Sequence, residues 1–177
     1  MESLKLVLPT NKYKKQIDEY KKNMIQSNSS MDGCGPLKQN NFTIWLKKCK
    51  EWRKGINLPE QFVPSTQYLC IRKSDNKLVG MLQLRHHLND FLLNYCGHIG
   101  YSIDPHERNK GYGKKILALG LNKCKKLGIN KVLVVCRETN NPSRKCILFN
   151  GGVFEDSRTR ELDNITLERY WINIEEK

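Results

Sequence analysis

The sequence predicts an α/β fold built on a mixed sheet, and three observations carry that prediction. Apolar residues recur at three- and four-residue steps in separate segments, which marks amphipathic helices. Short β-branched or alternating runs lie between and after them and mark strands. With 177 residues and 38% hydrophobic side chains, the chain can bury a sizeable core, and no linker or internal repeat divides it, so one domain over 1–177 is expected.

Taken in order, Leu4–Leu8 reads as a first strand, closed by Pro9 and Thr10. Asn11 to Gln26 carries Tyr13, Ile17, Tyr20, Met24 and Ile25 at helical spacing. Ser27–Pro36 is a polar, glycine-containing loop. Phe42–Lys54 returns to helical spacing through Phe42, Trp45, Leu46, Cys49 and Trp52. Pro59 and Pro64 make Gly55–Thr66 irregular. Tyr68–Arg72, an Asp75-Asn76 turn and Lys77–Leu84 form a β-hairpin, and Gly97–Ile103 is a further strand stopped by Asp104-Pro105. Gly111–Leu127 is a helix ended by Gly128. Lys131–Cys136 is the kind of β-branched run that a strand buried on both faces needs. A helix from Pro142 to Phe149 ends at Gly151-Gly152, and Val153–Asp156 and Thr166–Ile174 close the chain as a pair of strands.

Composition narrows the function. The longest apolar run is Val132–Cys136, too short to span a membrane, and no secretory leader is visible at the N-terminus. The seven cysteines are odd in number, widely spaced and free of any CxxC, which argues for reduced thiols in a cytoplasmic protein. The net charge is +13, and residues 105–145 hold eleven basic side chains against Glu107 and Glu138. Lys123, Lys125 and Lys126 read as a solvated helix face; the cluster from Arg108 to Lys115 coincides instead with a glycine turn. A nucleic-acid-binding module would account for the charge, but no interleaving of basic and aromatic residues and no reader motif accompanies it.

The stretch that carries chemistry runs from Gly97 to Lys115. A strand enters a turn whose glycines, Gly111 and Gly113, open a helix. The first amides of a helix lack internal partners and sit at the positive end of its dipole, so they form an anion site. Arg108, Lys110, Lys114 and Lys115 add formal charge, and together these features point to a pyrophosphate. The spacing is neither a Walker A loop nor GxGxxG.

Arg108-x-x-Gly111-x-Gly113 resembles the (Q/R)-x-x-G-x-(G/A) pyrophosphate signature of the GNAT superfamily of N-acetyltransferases, which bind acetyl-coenzyme A. Asn140-x-x-Ser143 and Asn150-Gly151-Gly152 extend the resemblance downstream. Val63-Pro64-Ser65-Thr66, Leu84-Arg85-His86-His87-Leu88-Asn89 and Gly97-His98-Ile99-Gly100-Tyr101 look like one branch of largely uncharacterised predicted acetyltransferases. The resemblance implies a mostly antiparallel central sheet of about six to seven strands, splayed into a V and flanked by helices. It implies that the pantetheine arm enters the V and pairs with backbone groups around Tyr101, Ser102 and Ile103. It also implies that the turn Arg108, Asn109, Lys110, Gly111, Tyr112, Gly113, Lys114 and Lys115 holds the pyrophosphate, with Asn140 and Ser143 contacting the coenzyme. An amide in the wedge would stabilise the oxyanion of a direct acetyl transfer, with no covalent enzyme intermediate.

Many relatives place a tyrosine in the last helix to protonate the departing thiolate; here the candidate positions hold Ile147, Leu148 and Phe149, so Ser143, Tyr101 or water must substitute. His98, beside the wedge, has the intrinsic pKa of a general base but also fits a structural role. Asn140 and Ser143 equally suit a helix start beside Pro142. Glu107 suits orientation of the turn better than proton transfer. Arg85, His86 and His87 end the hairpin near the acceptor side without forming a metal site, because neighbouring side chains on a strand point to opposite faces. Cys136 and Cys146 have no histidine partner and read as apolar residues. The expected partners are acetyl-coenzyme A and an unidentified amine, with no specific nucleic acid and no membrane; a homodimer and a non-catalytic acyl-coenzyme A sensor stay open.

Overall fold

The computed structural model describes residues 2–174. Seven strands form one sheet: β1 (Leu4–Val7), β2 (Ser65–Arg72), β3 (Leu78–Arg85), β4 (Ile99–Ile103), β5 (Lys131–Arg137), β6 (Val153–Arg160) and β7 (Ile165–Asn173). Their spatial order is β1-β2-β3-β4-β5-β7-β6, and every neighbouring pair is antiparallel except β4 and β5. That parallel step requires a crossover, which α4 (Tyr112–Lys126) supplies.

Helices cover both faces. α1 (Lys14–Gln26) and α2 (Phe42–Arg53) bury Ile17, Tyr20, Met24, Trp45 and Leu46 against Leu69, Ile71 and Met81. α4 buries Ile116, Leu117 and Cys124 against Leu82, Leu84, Ile99 and Val134 on the opposite face. α5 (Asn141–Phe149) lies beside α4 and adds Ile147 to that layer. Alternation along the strands therefore sorts the sheet into two cores, one per face.

The expected elements are present, with four differences. Asn11–Tyr13 is a separate 3-10 turn preceding α1, and Ile25 is exposed rather than on the apolar face. β2 begins at Ser65, directly after Pro64, so the irregular segment ends sooner than its prolines imply. A short helix, α3 (Asp90–Tyr95), fills the segment after β3, with Asn89 accepting from the Leu92 amide at 2.9 Å as its cap. β6 runs on to Arg160, because an edge strand with an open face tolerates the polar sequence Asp156–Arg160. All seven cysteines are free.

Candidate active site

The sheet opens between β4 and β5. Their parallel pairing is confined to Ile99 against Val134, whereas β5 pairs with β7 along its whole length from Lys131 to Arg137. Beyond Ile99 the edge of β4 facing β5 has no strand ladder, so the V-shaped splay is present. The Asp104 amide donates to the Val79 carbonyl at 3.0 Å and anchors the β3–β4 ladder. Its alternation turns the backbone groups of Gly100 and Ser102 toward β3 and those of Tyr101 and Ile103 toward the opening. The Ile103 carbonyl already accepts from Arg108 Nε at 3.2 Å, which leaves the Tyr101 amide and carbonyl and the Ile103 amide as the groups turned into the wedge without a strand partner.

His98 closes the narrow end of that wedge. Its amide donates to the Leu133 carbonyl at 2.8 Å, and its Nδ1 accepts from the Leu133 amide at 3.0 Å. The imidazole thus takes the place of a missing ladder partner, and Gly97 permits the approach, since a Cβ there would lie 2.4 Å from the Leu133 carbonyl oxygen. The ring is 7% exposed and stands edge-on to Trp171. Burial, reinforced by the like charge of Arg85, pushes His98 down to about 4. A neutral ring that accepts at Nδ1 carries its proton on Nε2, so no lone pair is left for a substrate proton. The structure makes His98 a strand tie, and the general base expected there is not available from its ring.

Ahead of α4, the turn from Asp104 to Gly111 is clamped from below. Asp104 accepts from the His106 amide at 2.9 Å. Glu107, 3% exposed, binds Arg72 at 2.7 Å, Lys77 at 2.8 Å and Lys110 at 2.8 Å. Burial alone would raise its pKa, but hydrogen bonds from Lys110, Lys77 and Arg72 outweigh it and hold Glu107 at about 2. Three cations on one buried carboxylate tie the turn to the β2–β3 hairpin. Asn109 and Gly111 both have positive φ, at +62° and +77°, and Gly111 is the N-cap residue of α4. No side chain caps that helix, so its first amides stay open to an anion. Nothing lies within 4 Å of a Cβ built on Gly111; its glycine answers the backbone angle and keeps the approach clear. Gly113 has a different reason, because a Cβ there would meet Cys146 Sγ at 2.8 Å; it lets α5 pack on the start of α4.

Side chains in this turn divide by role. Arg108 folds back, donating to Ser29 Oγ at 2.9 Å as well as to Ile103. Tyr112 is buried with its hydroxyl accepting from Arg72 at 3.2 Å, so its amide alone faces the anion site. Lys115 turns away to the Glu2 carbonyl at 2.5 Å, contrary to a coenzyme contact from its side chain. Lys114 lies over the exposed Phe149 ring, 4.2 Å from its centroid, next to the open helix end. Ser102 also leaves the wedge, since its hydroxyl donates to the Asp32 carbonyl at 2.6 Å and meets Tyr20 Oη at 2.9 Å on the other face.

On the α4 side, Tyr101 Oη lies 3.2 Å from Ser143 Oγ. Asn140 accepts from the Ser143 amide at 3.2 Å and caps α5, so both residues serve the helix start. A bidentate pair holds α5 against β7: Arg144 reaches Glu168 at 2.7 Å through Nε and at 2.6 Å through Nη2. Burial raises Tyr101 well above the usual phenol value, so its proton stays on oxygen. The sequence reading missed the Arg72 and Lys77 clamp and the Arg144–Glu168 pair; each joins residues far apart in the chain, and only charge type signalled them.

Comparison with known proteins agrees with this geometry. No curated protein sequence matches the chain. Among solved structures, RimL, a ribosomal L7/L12 alpha-N-protein acetyltransferase in complex with coenzyme A, superposes with a TM-score of 0.72 at 15% identity, over 97% of this chain and 94% of that one. An acetyl transferase from Salmonella typhimurium that modifies the N-terminal serine of the same ribosomal protein gives a TM-score of 0.70 at 15% identity, over 98% and 96%. The microcin C7 self immunity acetyltransferase MccE, in complex with acetyl-CoA and AMP, gives 0.67 at 17% identity, over 97% and 92%. These likenesses concern the fold. The model of the Acetyltransferase (GNAT) family matches residues 39–148, which span α2 to α5 and contain the splay, the glycine turn and the Tyr101–Ser143 contact, so the chain belongs to that family.

Proposed function

We propose that the protein is an acetyl-coenzyme A-dependent N-acetyltransferase that moves the acetyl group directly to an amine. The observation that carries this reading is the pairing of an uncapped α4 N-terminus with a strand edge released from β5 after Ile99. The amides of Gly111 to Lys115 suit a pyrophosphate, assisted by Lys114, and the turn's glycine leaves that approach clear. The Tyr101 amide suits the thioester oxygen, where a hydrogen bond strengthens as negative charge develops.

In the transfer, the neutral amine attacks the acetyl carbon, the carbon–sulfur bond breaks, nitrogen gives up a proton and sulfur gains one. Tyr101 and Ser143 form the hydroxyl pair on the side of the departing sulfur. A phenol raised this far is a weaker acid than a thiol, whose ordinary pKa is about 8.5, so Tyr101 stabilises the thiolate by donating a hydrogen bond, and the final proton comes from solvent. Lys123, Lys125 and Lys126 sit in the last turn of α4, where cations complement the helix dipole, so part of the basic excess is accounted for without a polyanion. Among the described residues no helix is long and apolar enough to cross a membrane, and free cysteines suit the cytoplasmic setting read from the sequence.

Thiol release from acetyl-coenzyme A in the presence of an amine panel, with mass spectrometry of the products, tests the function. Acetylated amine formed in step with thiol is the expected result. Coenzyme binding without transfer to any amine would favour the sensor.

A further inference from the structure

The face of the sheet that carries α1 and α2 holds a guanidinium that none of these steps uses. Arg85, at the end of β3, donates through Nη1 to the carbonyls of Gly97 at 3.1 Å and Cys96 at 3.5 Å. Its Nη2 lies beside Gly100 of β4, 3.7 Å from where a Cβ on that glycine would sit. Among the described residues no carboxylate stands within ion-pair distance of Arg85, whereas Arg72, Arg144, Arg160 and Arg169 each hold one. The titration directions agree with that contrast. Burial pulls Arg85 down, while hydrogen bonds to carboxylates raise Arg72, Arg144 and Arg160. Keeping a guanidinium half-buried without an anion is costly.

A carboxylate does face it at a distance. The loop between α1 and α2 lies across β4 at Gly100, where a Cβ would come within 3.1 Å of the Gly33 amide nitrogen. Ser102 holds that loop by donating to the Asp32 carbonyl at 2.6 Å. The Asp32 side chain is exposed, accepts from Ser30 Oγ at 2.7 Å and, among the described residues, forms no ion pair. This loop and the Arg85 guanidinium therefore meet at Gly100 and form one mouth there, and the charge of Asp32 reaches Arg85, Cys96 and Arg160. Arg160 is neutralised there by Asp163 at 2.5 Å, which leaves Arg85 and Asp32 as the unmatched cation and anion. Arg85 borders Gly100 and Asp32 borders Ser102, and these two residues flank Tyr101, each about one 3.3 Å strand step along β4 from it.

We propose that this mouth selects the acetyl acceptor, and that the acceptor is a small amino-carboxylate, its carboxylate on Arg85 and its amino group beside Asp32. The inference rests on the acetyltransferase reading and specifies its substrate class. A guanidinium binds a carboxylate with directed, charge-assisted hydrogen bonds, and Asp32 attracts the ammonium form to the place where it must shed a proton.

The test is calorimetric titration of the coenzyme A-loaded protein with the common amino acids, each against its own amide, which keeps the amine and lacks the carboxylate. At least one acid should bind tenfold or more tighter than its amide. Arg85→Gln should abolish that ratio and Arg85→Lys restore part of it, while Asp32→Asn should weaken both members of the pair and leave their ratio. Arg85→Lys covers the case in which Arg85→Gln fails to fold. Acids and amides that bind equally, or not at all, to protein that has taken up coenzyme A would overturn the inference alone. Failure to take up coenzyme A would instead overturn the acetyltransferase reading on which it stands.

Discussion

Tyr101 and Ser143 touch across the wedge, their hydroxyl oxygens 3.2 Å apart, although one belongs to β4 and the other to the first turn of α5. The contact depends on two supports. Asn140 caps α5 and sets the Ser143 amide, and the Arg144–Glu168 pair holds that turn against β7. On the proposed function this hydroxyl pair takes the side of the departing sulfur, since the last helix offers Ile147, Leu148 and Phe149 and no tyrosine.

Tyr101→Phe and Ser143→Ala should each lower turnover by roughly 10²-fold, the lower end of the range for losing a hydrogen-bond donor to a developing anion, and change coenzyme affinity much less. Because the two hydroxyls act as one unit, the double variant should be little slower than either single one. Steady-state kinetics of all three, with coenzyme affinity measured separately, checks this.

For His98 the expected loss is stability. His98→Ala strands the buried Leu133 amide and should cost about 1–3 kcal/mol at neutral pH. The folded pKa of about 4 lies below the unfolded value of about 6.5, so this contribution is complete above pH 6.5 and fades as pH falls through 4. Urea unfolding across that window should show the slope in the parent protein and not in the variant. The pH–rate profile near 6.5 should keep its shape.

Glu107 works in the same direction at lower pH. Its carboxylate is held at about 2, below the unfolded value of about 4.3, so the stability it contributes is present above pH 4.3 and lost as pH falls toward 2. Glu107→Gln leaves Arg72, Lys77 and Lys110 without their shared anion and should cost on the order of 3 kcal/mol at pH 7. The gap between variant and parent should close as the solution is acidified, which thermal unfolding at a series of pH values reads directly.

Gly111→Val tests the turn without disturbing the core, since no atom lies within 4 Å of the added Cβ. A β-branched residue at φ +77° costs on the order of 1–3 kcal/mol, and the valine methyls would stand in the anion's approach. Coenzyme affinity should fall by tenfold or more while the unfolding temperature changes only modestly.

Elements with a local signature were legible from the chain. The α4 start was visible because glycine spacing, basic residues and a preceding strand converge within Gly97 to Lys115. β5 was visible because its burial on both faces demands β-branched residues. The six residues of α3 are too few to establish a period, and β6 is polar because it lies at an open edge. His98 was ambiguous for a physical reason: its role depends on a hydrogen bond to Leu133, 35 residues away, and on burial that no local pattern records. The directions taken by Ser102 and Lys115 are of the same kind. Strand alternation and helix phase decide them, and both need the register of neighbouring elements.

The most direct test of the coenzyme site is the amide NMR spectrum of the protein titrated with acetyl-coenzyme A. Saturable shifts centred on the Tyr101 amide and on the amides from Gly111 to Lys115 are the predicted result. Saturable binding that leaves those amides unmoved and shifts residues on another surface would contradict the account.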